Sequence, residues 1–176
     1  MRKFAFELLV VIAVLVGAAD EGRADSLGMH PGQFPSVFNK QAEFLGLGMR
    51  AMIKSCKKGM RYVCRYEMYL DHLEAMGASE DAIALMDDFM LIFVRSDGSE
   101  KSAEEAIVAW SVVLGIFSPA VSERERGTIV LEMIEELKRD DLVQRKIGNI
   151  RYTMNNALGT ALIVRRAEID FRIKAP

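Results

Sequence analysis

The chain is poor in the residues from which most active sites are built. It has two histidines, His30 and His72, and two cysteines, Cys56 and Cys64, among 176 residues. It contains no nucleophile elbow, no phosphate-binding glycine loop, no haem-attachment motif and no zinc-binding helix motif. His30 sits in a stretch broken by Pro31, Gly32 and Pro35, a poor platform for a positioned base. The adjacent acids Asp87-Asp88 and Glu135-Glu136 would diverge by about 100° on a helix, so neither pair makes a converging acid–base couple. They read as solvated faces. An internal repeat, a low-complexity tract and a second-domain linker are also absent. These absences argue against an enzyme, although an envelope hydrolase using one carboxylate and one base from distant positions stays open as an alternative.

Carboxylates are missing from one stretch in particular. Between Phe44 and Tyr66 there are six cations (Arg50, Lys54, Lys57, Lys58, Arg61, Arg65) and no Asp or Glu. From Glu67 to Glu136 the balance reverses, with 16 acids against four bases. From Lys138 to Lys174 bases lead by nine to four. The whole chain carries a net charge of −2, and together with the expected export this argues against a nucleic-acid partner. The basic corner Lys57, Lys58, Arg61 and Arg65, with Met68 beside it, is the candidate partner surface for an anionic protein contact.

No apolar run is long enough for a stable membrane span, which needs about 20 residues. Leu8 to Val16 is the longest, preceded by Arg2 and Lys3 and followed by small residues at Gly22-Arg23-Ala24. That order is the pattern of a secretory signal. The expectation is cleavage after Ala24 and one domain over residues 25–176, exported to the periplasm or secreted. In that oxidising setting Cys56 and Cys64 pair as a disulfide. Bonded cysteines need Cα atoms within about 7 Å, whereas eight residues of one helix would separate them by about 12 Å. A continuous helix across 56–64 is therefore forbidden, and Gly59 is the natural break.

The periodicity predicts an all-α fold, a single compact bundle of about five to seven helices. Phe38, Ala42, Leu45, Met49 and Met52/Ile53 make a stripe on a helix from Val37 to about Lys58. Tyr62, Tyr66, Tyr69, Leu70 and Leu73 make another, ending at Gly77. Ser79 is placed as the cap of a third, lined by Ile83, Met86, Phe89, Met90 and Phe93. Ser102 with Glu105 and Ser122 with Glu125 have capping-box spacing and open a fourth and a fifth helix. A long sixth segment carries Ile147, Ile150, Met154, Leu158 and Leu162, interrupted by Gly148 and Gly159. The tail from Ala167 to Lys174 alternates apolar and charged residues, which predicts a short strand that could pair two copies into a dimer. Its i,i+4 pairs Glu168–Arg172 and Asp170–Lys174 support a terminal helix equally well.

Methionine is abundant, with eleven in the chain. Most read as packing. Met68, His72 and Met76, spaced by four, would line up on one helix, and thioether with imidazole suits Cu(I). Copper binding is thus an alternative function. No other cofactor is implied. The favoured reading is an exported, non-catalytic protein that binds a protein partner in the cell envelope as an inhibitor, immunity protein or assembly accessory.

Overall fold

Strand alternation, rather than helical spacing, governs two stretches of this chain, residues 51–93 and 142–166. The computed structural model describes residues 26–70, 72–94, 99–156 and 160–167. After a 3-10 turn at Pro31–Gln33 comes helix α1 (Phe34–Phe44), then strands β1 (Ala51–Lys58), β2 (Tyr62–Met68), β3 (Leu73–Ser79) and β4 (Asp88–Phe93). Helices α2 (Glu100–Phe117) and α3 (Glu123–Leu137) follow, then β5 (Leu142–Ile147), β6 (Ile150–Asn155) and β7 (Thr160–Arg166). The seven strands form one antiparallel sheet in the order β1-β2-β3-β4-β7-β6-β5. The fold is α+β, and the expectation of an all-α bundle is wrong.

The corrections have a common physical cause. A step of four residues is even, so it keeps side chains on one face of a strand as well as near one face of a helix. Tyr62 and Tyr66 satisfy both, as do Ile150 and Met154. In β2 the residues Cys64, Tyr66 and Met68 are buried while Arg65 and Glu67 are exposed, a period of two. The expected helix from Val37 to Lys58 stops at Phe44, and Ala51 onward is strand. The expected second helix is the pair β2 and β3, the third is a loop leading into β4, and the sixth is β5, β6 and the start of β7. Helices α2 and α3 form where the fourth and fifth were expected. Ser122 caps α3 as anticipated, its hydroxyl accepting from the Glu125 N–H. Helix α2 instead starts one turn before Ser102, with Ser99 as its cap.

All three helices pack on one face of the sheet. Their apolar sides meet Cys64, Tyr66, Met68, Leu73, Leu91, Tyr152, Met154, Leu162 and Val164 in a single core. Phe34 is its aromatic centre, with ring centroids 4.9 Å from Tyr66 and 4.4 Å from Phe89. The Tyr66 hydroxyl donates to the Pro31 carbonyl at 2.7 Å. Burial raises the Tyr66 pKa strongly, with the neighbouring Tyr62 adding to the effect. Burial likewise pushes Tyr152 up to about 12, against the opposing influence of its hydrogen bond to Ser118.

The sheet's first edge is partly closed from within. The Asn39 side chain donates to the Ala51 carbonyl at 3.0 Å and accepts from the Ala51 N–H at 2.7 Å, copying one rung of a strand partner. A register shift between Ile53 and Ser55 bends the rest of β1 and breaks its regular edge.

Candidate functional site

The hairpin of β1 and β2 carries both cysteines. Cys56 and Cys64 face each other directly in the register and are bonded, with Cα atoms 4.0 Å apart. Such a separation is that of a close cross-strand pair. The bond staples two strands, not the corner of a helical hairpin. Cys64 is fully buried on the helix-covered face.

The expected partner-surface residues scatter. Lys57 and Arg65 alternate onto the uncovered face of the sheet, and neither makes an ion pair among the described residues. Lys58 donates to the Glu80 carbonyl. Arg61 bridges to Asp87 and Asp88, and Arg165 reaches the second oxygen of Asp88. Part of the basic corner is thus neutralised by the acidic middle of the chain. Met68 is 5% exposed and belongs to the core, so it offers nothing to a partner.

The soft-metal set does not converge either. Met68 points into the core, while Met76 alternates onto the opposite face of the sheet. His72 lies buried beyond the end of β2, its Nε2 3.3 Å from a Glu105 oxygen and its ring edge-on to Phe93. One ion cannot touch all three. No group of three or more His, Cys, Asp or Glu among the described residues could hold a metal. The C-terminal tail beyond Ala167, proposed for dimerisation, and the leader lie outside the described residues. Among those described, no helix is long and apolar enough to cross a membrane.

Two features that sequence reasoning missed stand out. The first is the uncovered face of the sheet. Register places Met76 beside Met90, Met90 beside Ile163, and Ile92 beside Ala161. Met76, Met90, Ile92 and Ile163 are half-buried and lie outside the core cluster. They form an apolar strip across the middle strands. One border is the row Lys57, Asp88, Arg165, Arg151 and Lys146, and the other holds Glu67 and Glu74. Arg151 and Lys146 make no ion pair among the described residues. The period-two pattern of 73–79 and 88–93 was the signal that could have revealed this face.

The second is an apolar cleft of about 490 Å³ on the helix side. It lies between α2, α3 and the sheet end where Phe93 pairs with Thr160. Ala103, Ala106, Ile107 and Trp110 of α2 form one wall, and Ile134 and Leu137 of α3 the other. Lys138, Asn156 and Thr160 complete the lining. The Trp110 ring stands edge-on to Phe93, and its buried Nε1 has no hydrogen-bond partner among the described residues. Outside the cleft, Arg145 ties β5 to α3 through Glu136, and this hydrogen bond holds the Glu136 carboxyl below its usual pKa.

Comparison of the chain with models of protein families, with curated proteins and with solved structures finds no match.

Proposed function

We propose that this protein is exported to the cell envelope and works there without catalysis, by binding another protein through the uncovered face of its sheet. One observation carries the reading: the strip Met76, Met90, Ile92 and Ile163 is apolar, half-exposed and left out of the core. Contiguous apolar surface rimmed by polar residues is what protein-binding sites present. The cationic border of Lys57, Arg165, Arg151 and Lys146 fits a partner whose contacting segment is amphipathic and acidic. Export is supported by the leader pattern and by the disulfide, which persists in an oxidising compartment.

The test is capture from the native envelope fraction with the chain from residue 25 as bait, followed by mass spectrometry. Met76→Glu/Ile163→Glu should abolish recovery of the stoichiometric partner, and Arg151→Glu should weaken it most at low salt. Leu131→Glu, on the exposed side of α3, should leave recovery unchanged. Equal recovery with all three variants would refute the assignment of this face.

A further inference from the structure

We propose that the cleft between α2 and α3 is a binding site for a free medium-chain fatty acid, held with its carboxylate at Lys138 and its tail toward Trp110. This site lies on the opposite side of the sheet from the apolar strip and does not depend on the protein-binding reading.

The shape comes from the sequence of α2. Ala103, Ala106, Ile107 and Trp110 follow one another at steps of three, one and three, a single stripe about 10 Å long. Two of the four are alanine, which leaves a slot where larger side chains would close the wall. The second wall, Ile134 and Leu137, is apolar along its length. A volume of about 490 Å³ falls within the range of small-molecule sites. An elongated apolar slot between two helices suits a linear chain better than a compact polar molecule.

The head end is set by the hairpin of helices. Because α2 and α3 join through residues 118–122, the start of α2 lies beside the end of α3. Ala103, Leu137 and Lys138 therefore mark one end of the slot, and Trp110 lies toward the other. Apart from the Trp110 Nε1–H, the polar groups of the lining are tied to the first end through Leu137. Asn156 donates to the Leu137 carbonyl at 3.5 Å, and the Thr160 hydroxyl donates to the Asn156 side-chain oxygen at 3.1 Å. Lys138 is the one cation in the lining. It touches Glu135 at 2.5 Å, but both side chains are more than 60% exposed, and an exposed pair of this kind is readily exchanged. A single carboxylate matches one lysine, whereas the extra charge of a phosphate head would meet Glu135.

Trp110 is the chain's single tryptophan, so its emission reports on the cleft directly. The chain from residue 25 is titrated with octanoate, decanoate and dodecanoate below their micelle concentrations. The expected result is a saturable one-to-one change in emission. Affinity should rise about three- to fourfold for each added methylene until the slot is full. Ala103→Phe, which fills the slot, should abolish the change. Lys138→Glu, an exposed substitution that does not threaten folding, should weaken dodecanoate about fivefold and leave 1-dodecanol unaffected. Absence of a saturable change with any chain length would overturn the proposal. So would dodecanoate binding that Lys138→Glu and a folded Ala103→Phe leave intact. Emission changes produced by phosphatidylglycerol vesicles, but not by free fatty acids, would show a membrane surface as the ligand and overturn it as well.

Discussion

Gly77 sits where the sheet leaves no room for a Cβ, and replacing it by alanine is a sharp test of the core around it. Its backbone is not in the left-handed region, so alanine is conformationally acceptable there. In isolation the substitution should stabilise the protein by about 0.4–1 kcal/mol, because alanine restricts the unfolded chain. Space decides against it. A Cβ at this position would fall on the Met86 sulfur and 2.6 Å from the Tyr66 hydroxyl oxygen. Met86 is fully buried and Tyr66 nearly so, and neither can swing into solvent. Overpacking of this kind costs about 1–3 kcal/mol. If Tyr66 yields, its bond to Pro31 is lost and a buried hydroxyl is left unpaired, a further cost of about 1–3 kcal/mol. The net expectation is a loss of about 3 kcal/mol, a fall of roughly 1.5 M in the urea midpoint at an unchanged slope. Tyr66→Phe supplies the second arm. Removing the hydroxyl should cost less in the Gly77→Ala background than in the parent, giving a double-mutant coupling above about 0.5 kcal/mol. A neutral or stabilising Gly77→Ala, or additive effects of the two substitutions, would refute the reasoning.

Three other outcomes are expected. Tyr66 and Tyr152 both have raised pKa values, so the folded state keeps their protons while the unfolded chain loses them near pH 10. Their contribution is intact below about pH 10 and should fall by about 2.7 kcal/mol per unit toward pH 12, with Tyr152→Phe halving the slope of urea stability against pH. Removing the disulfide by Cys56→Ala/Cys64→Ala opens a loop with a sequence separation of 8 and should cost about 2.5 kcal/mol. Calorimetry should show a Tm lower by about 5–10 °C; an unchanged Tm would mean that the hairpin does not need its staple. Asn39→Ala removes both bonds to Ala51 and should cost about 1–3 kcal/mol. It should also speed hydrogen exchange at Ala51 selectively, and uniform exchange across β1 would count against the edge-closing role.

The helical hairpin was legible in the sequence because its signals are local. Ser122 with Glu125 marks a start, and the stripes of α2 and α3 run long enough to be unambiguous. The sheet was not, since strand pairing is decided by residues far apart in sequence. The tandem Tyr62/Tyr66 fits both periods, and only the pairing of β2 with β1 and β3 selects between them. The cysteine pair shows the same limit. It rightly forbade a helix across 56–64, but a hairpin of strands meets that constraint as well as a hairpin of helices does. One local cue was overlooked. Gly148-Asn149 between Ile147 and Ile150 is a two-residue hairpin loop, and Gly148 takes φ 57° while Asn149 keeps a negative φ, as a type II′ turn requires. The basic stretch is real as sequence, yet the acids that answer Arg61 lie 26 and 27 residues further on. The cleft was hidden for a related reason, since its lining comes from four separate regions of the chain.

The order β1-β2-β3-β4-β7-β6-β5 has a consequence for how the molecule assembles. Strands β1 to β4 each pair with their neighbour in sequence, and so do β5 to β7. The two meanders can each form from local turns. They join at one seam, β4 against β7, where Phe93 meets Thr160. Closing the chain between those residues costs about 4 kcal/mol of loop entropy before the seam returns any contact. Helices α2 and α3 occupy that loop, and their formation shortens the distance to be closed. The seam is therefore the expected rate-limiting contact of folding. Substitutions in Leu91 or Leu162 should slow refolding, whereas those in β1 or β5, at the two outer edges, should chiefly speed unfolding.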